Sequence, residues 1–156
     1  VETLIITFSC AYIGGISGPI EPWWCLDNLK YALKLLEPKG LIIMSCFEDV
    51  FYFRQFKDFC PEIKSCSKGS LQSESVPNLR HVILARRLEN YKLVEEDDDD
   101  YKNAWDIDEI MNDNPELSKN FKGWPDLSPN DLFYIVFTVN ILFFIKFHMF
   151  RIIFFV

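Results

Sequence analysis

The stretch LDNLKYALKLLEPKGLIIM, from Leu26 to Met44, decides the fold class. Its leucines at positions 26, 29, 33 and 36 step by three or four residues, so they share one face of a predicted helix. Pro38 ends that helix, and Gly40 suits the positive φ that often follows a helix C-terminus. The continuous apolar run Leu41–Phe47 then predicts a strand buried on both faces, as in parallel sheets.

The segments on either side extend this pattern. Upstream, the apolar run Thr3–Thr7 predicts a buried strand, and a turn-rich stretch follows over 14–22. Downstream, the sequence predicts a helix over Glu48–Phe59, a weak strand over Glu62–Cys66 and a last strand over Leu79–Leu88. Strands that alternate with helices imply βαβ units and a parallel sheet. Because no helix separates the last two strands, we expect them to pair antiparallel in a mixed sheet.

Composition separates the chain into three regions. The 156 residues carry a net charge of −7, and 49% of them are apolar, which excludes a disordered protein. The acidic balance excludes a basic protein that coats nucleic acid. We predict an α/β domain over 1–90, an acidic linker or docking segment over 91–130 and a hydrophobic tail over 131–156. Residues 91–130 hold 12 acidic and four basic side chains, and the last 25 residues hold 20 apolar ones.

The two outer regions each leave alternatives open. The acidic run Glu95–Asp100 is typical of a solvated linker or a protein-binding segment. Trp105 and the apolar residues after it form either a motif that docks on a partner or a strap that lies on the domain. The tail is long enough to span the ~30 Å core of a bilayer, although Lys146 interrupts it. It is a membrane anchor, a gene-model artefact translated from noncoding DNA, or a buried amphipathic segment.

The cysteines and histidines indicate neither a metal site nor a disulfide framework. Five cysteines are an odd number, and none follows another at the spacing of a zinc ligand pair. The two histidines, His81 and His148, lie far from them in sequence. We therefore predict no metal and mostly buried, reduced thiols in a cytoplasmic or nuclear protein, anchored to a membrane if the tail is genuine.

The helix, the Glu-Pro-Lys-Gly turn and the strand of Leu26–Met44 resemble the late part of class I S-adenosylmethionine-dependent methyltransferases. Within that family, the Ser17-Gly18-Pro19 loop and the Ser-rich loop Ser67–Ser75 are similar to FtsJ-like RNA ribose 2′-O-methyltransferases. The resemblance implies the C-terminal part of a Rossmann-like sheet whose last strand is antiparallel. It also implies methyl transfer from S-adenosylmethionine to an acceptor such as an RNA ribose 2′-hydroxyl or a protein.

The resemblance also guides the site prediction. Ser9, Cys10 and Tyr12 follow the first predicted strand at the sheet edge where ligands bind, so we expect them in the cofactor pocket. No catalytic residue is assigned, because Phe8-Ser9-Cys10, Ser45 and Arg80-His81 stand where the FtsJ-like Asp, second Lys and Glu would lie. We expect the chain alone neither to bind S-adenosylmethionine tightly nor to catalyse. The alternatives are a catalytically inactive methyltransferase-like protein that binds a partner, or a tail-anchored membrane protein.

Overall fold

A computed structural model describes residues 2–20, 24–45, 50–85, 102–112, 125–128, 130–139 and 145–151. The chain divides into two compact units, the first made of Val1–Trp23 with Asn120–Val156 and the second of Trp24–Lys119. The elements in chain order are α1 (Glu2–Tyr12), α2 (Leu26–Leu36), β1 (Gly40–Met44), α3 (Tyr52–Phe59), a 3-10 helix (Pro61–Lys64), β2 (His81–Ala85), β3 (Trp105–Asp106), α4 (Ile107–Asn112), β4 (Leu132–Val139) and β5 (Ile145–Arg151). The protein is therefore α/β, with a small, mostly parallel sheet.

The sheet of the second unit has the order β1-β2-β3, and both of its strand pairs are parallel. The register pairs Gly40 with His81 and Met44 with Ala85. The predicted mixed sheet with an antiparallel last strand is wrong. The expected weak strand over Glu62–Cys66 is a 3-10 helix instead, so the chain reaches β2 from β1 through α3. A crossover that contains a helix returns the chain in the parallel direction.

The hydrophobic core lies between this sheet and its helices. On α3, Phe53 and Phe56 are almost fully buried, and their rings stack with centroids 6.4 Å apart. From α2, Leu33 enters the same cluster, as the leucine spacing predicts. Glu37 follows the last residue of α2 and has the left-handed conformation (φ 45°) that the sequence assigned to Gly40. Gly40 is instead the first residue of β1. The buried core residues are Leu33, Ile43, Phe53, Phe56, Cys60, Ile63, Leu71, Val76, Leu79, Val82, Leu84 and Ala104.

The first unit begins with a helix where the sequence predicts a strand. Thr3–Thr7 lies inside α1, which continues to Tyr12. The predicted strand is wrong because a short apolar run does not distinguish a strand from a buried helix segment. Beyond α1, Ser17 forms a parallel bridge with Tyr134 of β4. On its other side β4 pairs antiparallel with β5.

Several predictions extend to residues outside the described ranges. They are the end of the apolar run Leu41–Phe47, the start of the helix Glu48–Phe59, the end of the strand Leu79–Leu88 and the acidic run Glu95–Asp100. The boundaries 1–90, 91–130 and 131–156 stay predictions. In the tail, 132–139 and 145–151 are strands. Among all residues that the structure describes, no helix is both long and apolar enough to cross a bilayer.

Candidate functional site

One group of polar and aromatic side chains in the second unit gathers around the start of β2, at the amino edge of the sheet. We call Lys68, Gly69, His81, Trp105 and Glu109 the amino-edge cluster. His81 is the first residue of β2, and Trp105 is the first residue of β3. The loop after the 3-10 helix supplies Lys68 and Gly69, and α4 supplies Glu109. Parallel pairing of the strands therefore brings three distant parts of the sequence together.

Lys68 makes the strongest polar contact of the cluster. Its Nζ donates a hydrogen bond of 2.6 Å to Oε2 of Glu109 and lies 5.4 Å from the centroid of the Trp105 ring. The hydrogen bond from Lys68 lowers the pKa of the Glu109 carboxyl. The face of an indole also attracts a cation. Lys68 is thus held by a carboxylate and a ring, and it ties the loop to β3 and α4.

Gly69 is required by its backbone conformation and by its neighbours. Its φ is +79°, a region that favours glycine. A Cβ atom at this position would lie 3.1 Å from Nδ1 of His81 and 3.4 Å from Nε1 of Trp105. The absence of a side chain lets the imidazole pack directly against the loop.

Residues 102–112 are fixed to the second unit by further contacts. Asn103 donates a hydrogen bond from Nδ2 to the Lys64 carbonyl (2.7 Å), and Ala104 is buried in the core. Asp106 begins α4 by accepting a hydrogen bond at Oδ1 from the backbone N–H of Asp108 (2.8 Å). Of the two interpretations left open for the Trp105 segment, the structure shows the strap on the domain for residues 102–112. These contacts give the amino-edge cluster a structural role.

A buried thiol lies beside a carboxyl and a hydroxyl in the same unit. Burial raises the pKa of Cys60 to about 11, with Ser73 and Glu62 as neighbours. The carboxyl of Glu62 accepts a hydrogen bond from its own backbone N–H, and this lowers its pKa. At neutral pH the Cys60 thiol is therefore protonated and enclosed, which excludes it as an activated nucleophile.

A pocket of about 220 Å³ opens between the end of α2 and the loop over 74–79. On its rim, Asn78 donates a hydrogen bond from Nδ2 to Oε2 of Glu37 (2.8 Å). Ligand sites for small molecules usually enclose about 300–1,000 Å³. This pocket is smaller, and charged side chains of both signs line it.

The predicted pocket residues Ser9, Cys10 and Tyr12 lie on the last turns of α1. Ser9 and Tyr12 are exposed, whereas Cys10 is half-buried, and this burial raises the pKa of its thiol. The strand end on which this prediction rested is a helix, and their place in a ligand pocket stays a prediction. Arg80, which lies directly before β2, donates from Nη1 to the carbonyls of Leu71, Pro77 and Leu79 and so holds the loop before that strand in place.

Sequence reasoning missed the amino-edge cluster as a unit. Lys68 and Glu109 are 41 residues apart, and no local pattern relates them. The available signals were a glycine inside the loop Ser67–Ser75 and a tryptophan that stands alone after the acidic run. Neither signal identifies its partner without the parallel register of the sheet.

The known proteins that resemble this chain carry the names of acyl-CoA ligases or synthetases. No protein-family model matches the chain. The chain is 30% identical over 80 residues to the mitochondrial medium-chain acyl-CoA ligase ACSF2 of Rattus norvegicus, covering 51% of this chain and 13% of that protein. The ACSF2 protein of Danio rerio is 26% identical over 83 residues, covering 53% and 14%. The putative acyl-CoA synthetase YngI of Bacillus subtilis is 29% identical over 82 residues, covering 53% and 15%.

These similarities overturn the methyltransferase prediction. The chain spans about 13–15% of the length of these relatives, which are named as acyl-CoA ligases or synthetases and not as methyltransferases. The resemblance to S-adenosylmethionine-dependent and FtsJ-like enzymes is therefore wrong, since it rested on element order and one turn that many α/β proteins share. S-adenosylmethionine is also wrong as the cofactor. Neither the inactive methyltransferase-like protein nor the tail-anchored protein receives support.

Proposed function

We propose that this chain is part of an acyl-CoA ligase, which joins the carboxyl group of an organic acid to the thiol of coenzyme A. The observation that carries the proposal is the 30% identity over 80 residues to a medium-chain acyl-CoA ligase. Its support is broadened by a bacterial acyl-CoA synthetase with 29% identity over 82 residues. Relatives as distant as a rat and a bacterium are named for the same thioester-forming chemistry.

The second unit is the part of the chain to which we assign most of this similarity. Any contiguous stretch of 80 residues in this chain takes more than half of its residues from Trp24–Lys119. Every such stretch also includes residues 77–80, the loop that leads into β2. The second unit contains the buried core and the parallel sheet, which are the features that a shared fold preserves.

We assign the second unit a scaffolding role within the ligase. Its three parallel strands run in sequence order, and we propose that they belong to a larger doubly wound sheet of the Rossmann-like kind. In open sheets of this kind, ligands bind at the carboxyl ends of the strands. That edge lies at Met44 and Ala85, whereas His81 lies at the other end of β2 and Trp105 is level with Ile83 in the middle of that strand. The contacts of the cluster, which hold a loop, a strand and a helix together, support its structural role.

Under this proposal the co-substrate is coenzyme A, whose thiol accepts an acyl group, and not S-adenosylmethionine, which donates a methyl group. Formation of a thioester from a carboxylate and a thiol removes the elements of water and is unfavourable by itself. Ligases as a class couple such a step to the cleavage of a nucleoside triphosphate. We propose no catalytic residue within the chain, and the reacting groups are assigned to the remainder of the ligase.

A chimeric enzyme tests the proposal. In the rat medium-chain acyl-CoA ligase, the segment that aligns with this chain is replaced by the corresponding residues of this chain. We expect the chimera to form medium-chain acyl-CoA from the acid, coenzyme A and a nucleoside triphosphate, because the grafted unit supplies an equivalent scaffold. The matched control is the same chimera with Phe56→Asp, which places a charge in the core and abolishes activity.

Two outcomes contradict the proposal. A soluble, folded chimera without acyl-CoA formation shows that the segment does not replace its counterpart. Equal activity of the chimera and of its Phe56→Asp variant shows that the grafted fold does not matter to the enzyme.

The cellular location of the protein is part of the same proposal. The vertebrate relatives are mitochondrial by name, whereas the sequence predicts a cytoplasmic or nuclear protein. We propose a mitochondrial location for the full ligase, to be tested by fractionating cells that express it with a C-terminal tag. Recovery of the tagged protein from the cytosol or the nucleus contradicts this location and supports the earlier prediction.

A further inference from the structure

The three-stranded sheet of the second unit has an open edge at β1. The strand order β1-β2-β3 places β1 and β3 at the two edges, and among the described residues β2 is the only strand that pairs with β1. The opposite edge is short, because β3 has two residues and runs directly into α4. β1 has five residues, so it is the edge that offers backbone for a further strand.

The hydrogen bonds before β1 show which of its backbone groups face the open edge. The Lys39 carbonyl accepts a hydrogen bond from the backbone N–H of His81 (3.1 Å), so it points towards β2. Successive residues of a strand direct their backbone groups to alternate sides, and Ile43 therefore also faces β2. The N–H and C=O groups of Ile42 and Met44 face the open edge. Both residues are half-buried, and backbone groups that are shielded from water need hydrogen-bond partners.

The side chains of β1 are typical of an interior strand. Residues 41–44 are Leu-Ile-Ile-Met, and each of them is buried or half-buried. Strands at a solvent-exposed edge usually carry charged residues or proline, or are very short. A continuous apolar run is instead typical of the strands inside parallel sheets.

We propose that the open edge of β1 pairs with a further β-strand, which is supplied by the part of the acyl-CoA ligase outside these 156 residues. This inference deepens the proposed function, and it rests on that function in one respect, that the chain is part of a longer protein. The chain spans about 13–15% of the length of its relatives, so most of such a ligase lies outside it.

The size of the edge favours a strand of the same polypeptide over a second copy. Five residues form an edge about 17 Å long. Stable interfaces between separate chains involve about 20–30 residues on each side, so this edge by itself is too small to hold two copies together. A strand of the same polypeptide is kept near β1 by its covalent connections, which raise its effective concentration.

Hydrogen exchange of backbone amides tests the proposal in the complete ligase and in the 156-residue chain. In the complete ligase, we expect the Ile42 amide to exchange as slowly as the Ile43 amide. In the 156-residue chain, we expect the Ile42 amide to exchange roughly 100-fold faster than the Ile43 amide, because it has no strand to bond. Ile43 is the matched control, since its N–H faces β2 in both proteins.

Proline substitutions provide a second measurement. Edge strands accept proline where the lost N–H faces outward, so Ile42→Pro should leave hydrogen exchange in β2 unchanged in the 156-residue chain. In the complete ligase, the same substitution disrupts the added strand and should speed exchange of the Met44 amide roughly tenfold. The matched Ile43→Pro removes an N–H that faces β2, and it should speed exchange in β2 in both proteins.

Three results overturn the proposal. Rapid exchange of the Ile42 amide in the complete ligase shows that the edge stays open. Slow exchange of this amide in the 156-residue chain shows that the added strand does not come from the rest of the ligase. Loss of its protection when the complete ligase is diluted to single molecules shows that a second copy supplies the strand. Failure to form acyl-CoA by a complete protein whose Ile42 amide is protected contradicts the proposed function and supports the strand pairing.

Discussion

The two units of this chain distribute apolar side chains in opposite ways. In the second unit, Phe53 and Phe56 of α3 are buried, and Arg54 and Asp58 of the same helix are exposed. In the first unit, α1 buries Thr7 and exposes Phe8. The same physical force acts on both helices, so the contrast concerns the two helices and not the whole units. The second unit also exposes Leu35 (48%) and Met111 (70%), and the first unit buries Ile135 and Phe137.

This difference agrees with the proposed ligase scaffold. A unit with its own core is expected to keep its fold inside a larger enzyme. A helix with exposed apolar side chains gains free energy when a second surface covers it. Substitutions at matched positions in the two units make the comparison quantitative.

The largest expected effect comes from removing one phenylalanine from each unit. Phe56→Ala opens a cavity in the core and should lower the free energy of unfolding of the second unit by about 3–5 kcal/mol. Phe8→Ala removes a side chain that is 65% exposed and should change it by less than about 0.5 kcal/mol. Hydrogen exchange at the β2 amides measures both values. Similar losses for the two variants would contradict the contrast between the units.

The sequence predicted the second unit well where periodicity acts within one element. The leucine spacing of α2, the apolar run of β1, the aromatic spacing of α3 and the apolar centre of β2 are all confirmed, because each records burial on one face or on both. Strand direction was wrong, since it depended on whether Glu62–Cys66 forms a strand. In the first unit, Thr3–Thr7 gave no decisive signal, because a strand and a helix both accommodate five apolar and β-branched residues.

The candidate site was less predictable than the fold. Trp105 and Glu109 reach Lys68 only through the parallel register of β2 and β3, which joins Ile83 to Trp105 across a long connection. Such contacts depend on tertiary structure, and no single stretch of sequence encodes them. The methyltransferase prediction failed for a related reason, because a helix, a turn and a strand specify an architecture that many functions share.

Two glycines with positive φ sharpen the comparison at a smaller scale. Gly69→Ala in the second unit forces a Cβ to 3.1 Å from the imidazole of His81 and should cost about 1–2 kcal/mol. Gly14→Ala in the first unit has a similar φ of +74° but meets Cγ of Pro125 at 3.3 Å. Since strain is confined to the unit that carries the change, only Gly69→Ala should speed hydrogen exchange in β2. Adding His81→Ala to Gly69→Ala should recover part of the loss.

A loss of protection in β2 from Gly14→Ala would show that the two units do not respond separately. Unchanged exchange in Gly69→Ala would show that the loop before β2 accepts a side chain, and the close contact with His81 would then have no energetic role.

The smallest expected effect concerns the ion pair that holds α4 to the second unit. The hydrogen bond from Lys68 keeps the pKa of Glu109 below its ordinary value of 4.5, so this contact stabilises the fold above that pH. Its contribution is lost as the pH falls through the lowered pKa of the folded state.

Lys68→Met should return the pKa of Glu109 towards 4.5, as measured by the pH dependence of its carboxyl carbon chemical shift. Lys30→Met removes the exposed pair with Asp27 (3.5 Å) and should leave that titration unchanged. An unshifted pKa of Glu109 in Lys68→Met would mean that this hydrogen bond does not form in solution, and that residues 102–112 are held by their other contacts, among them the pairing of β3 with β2.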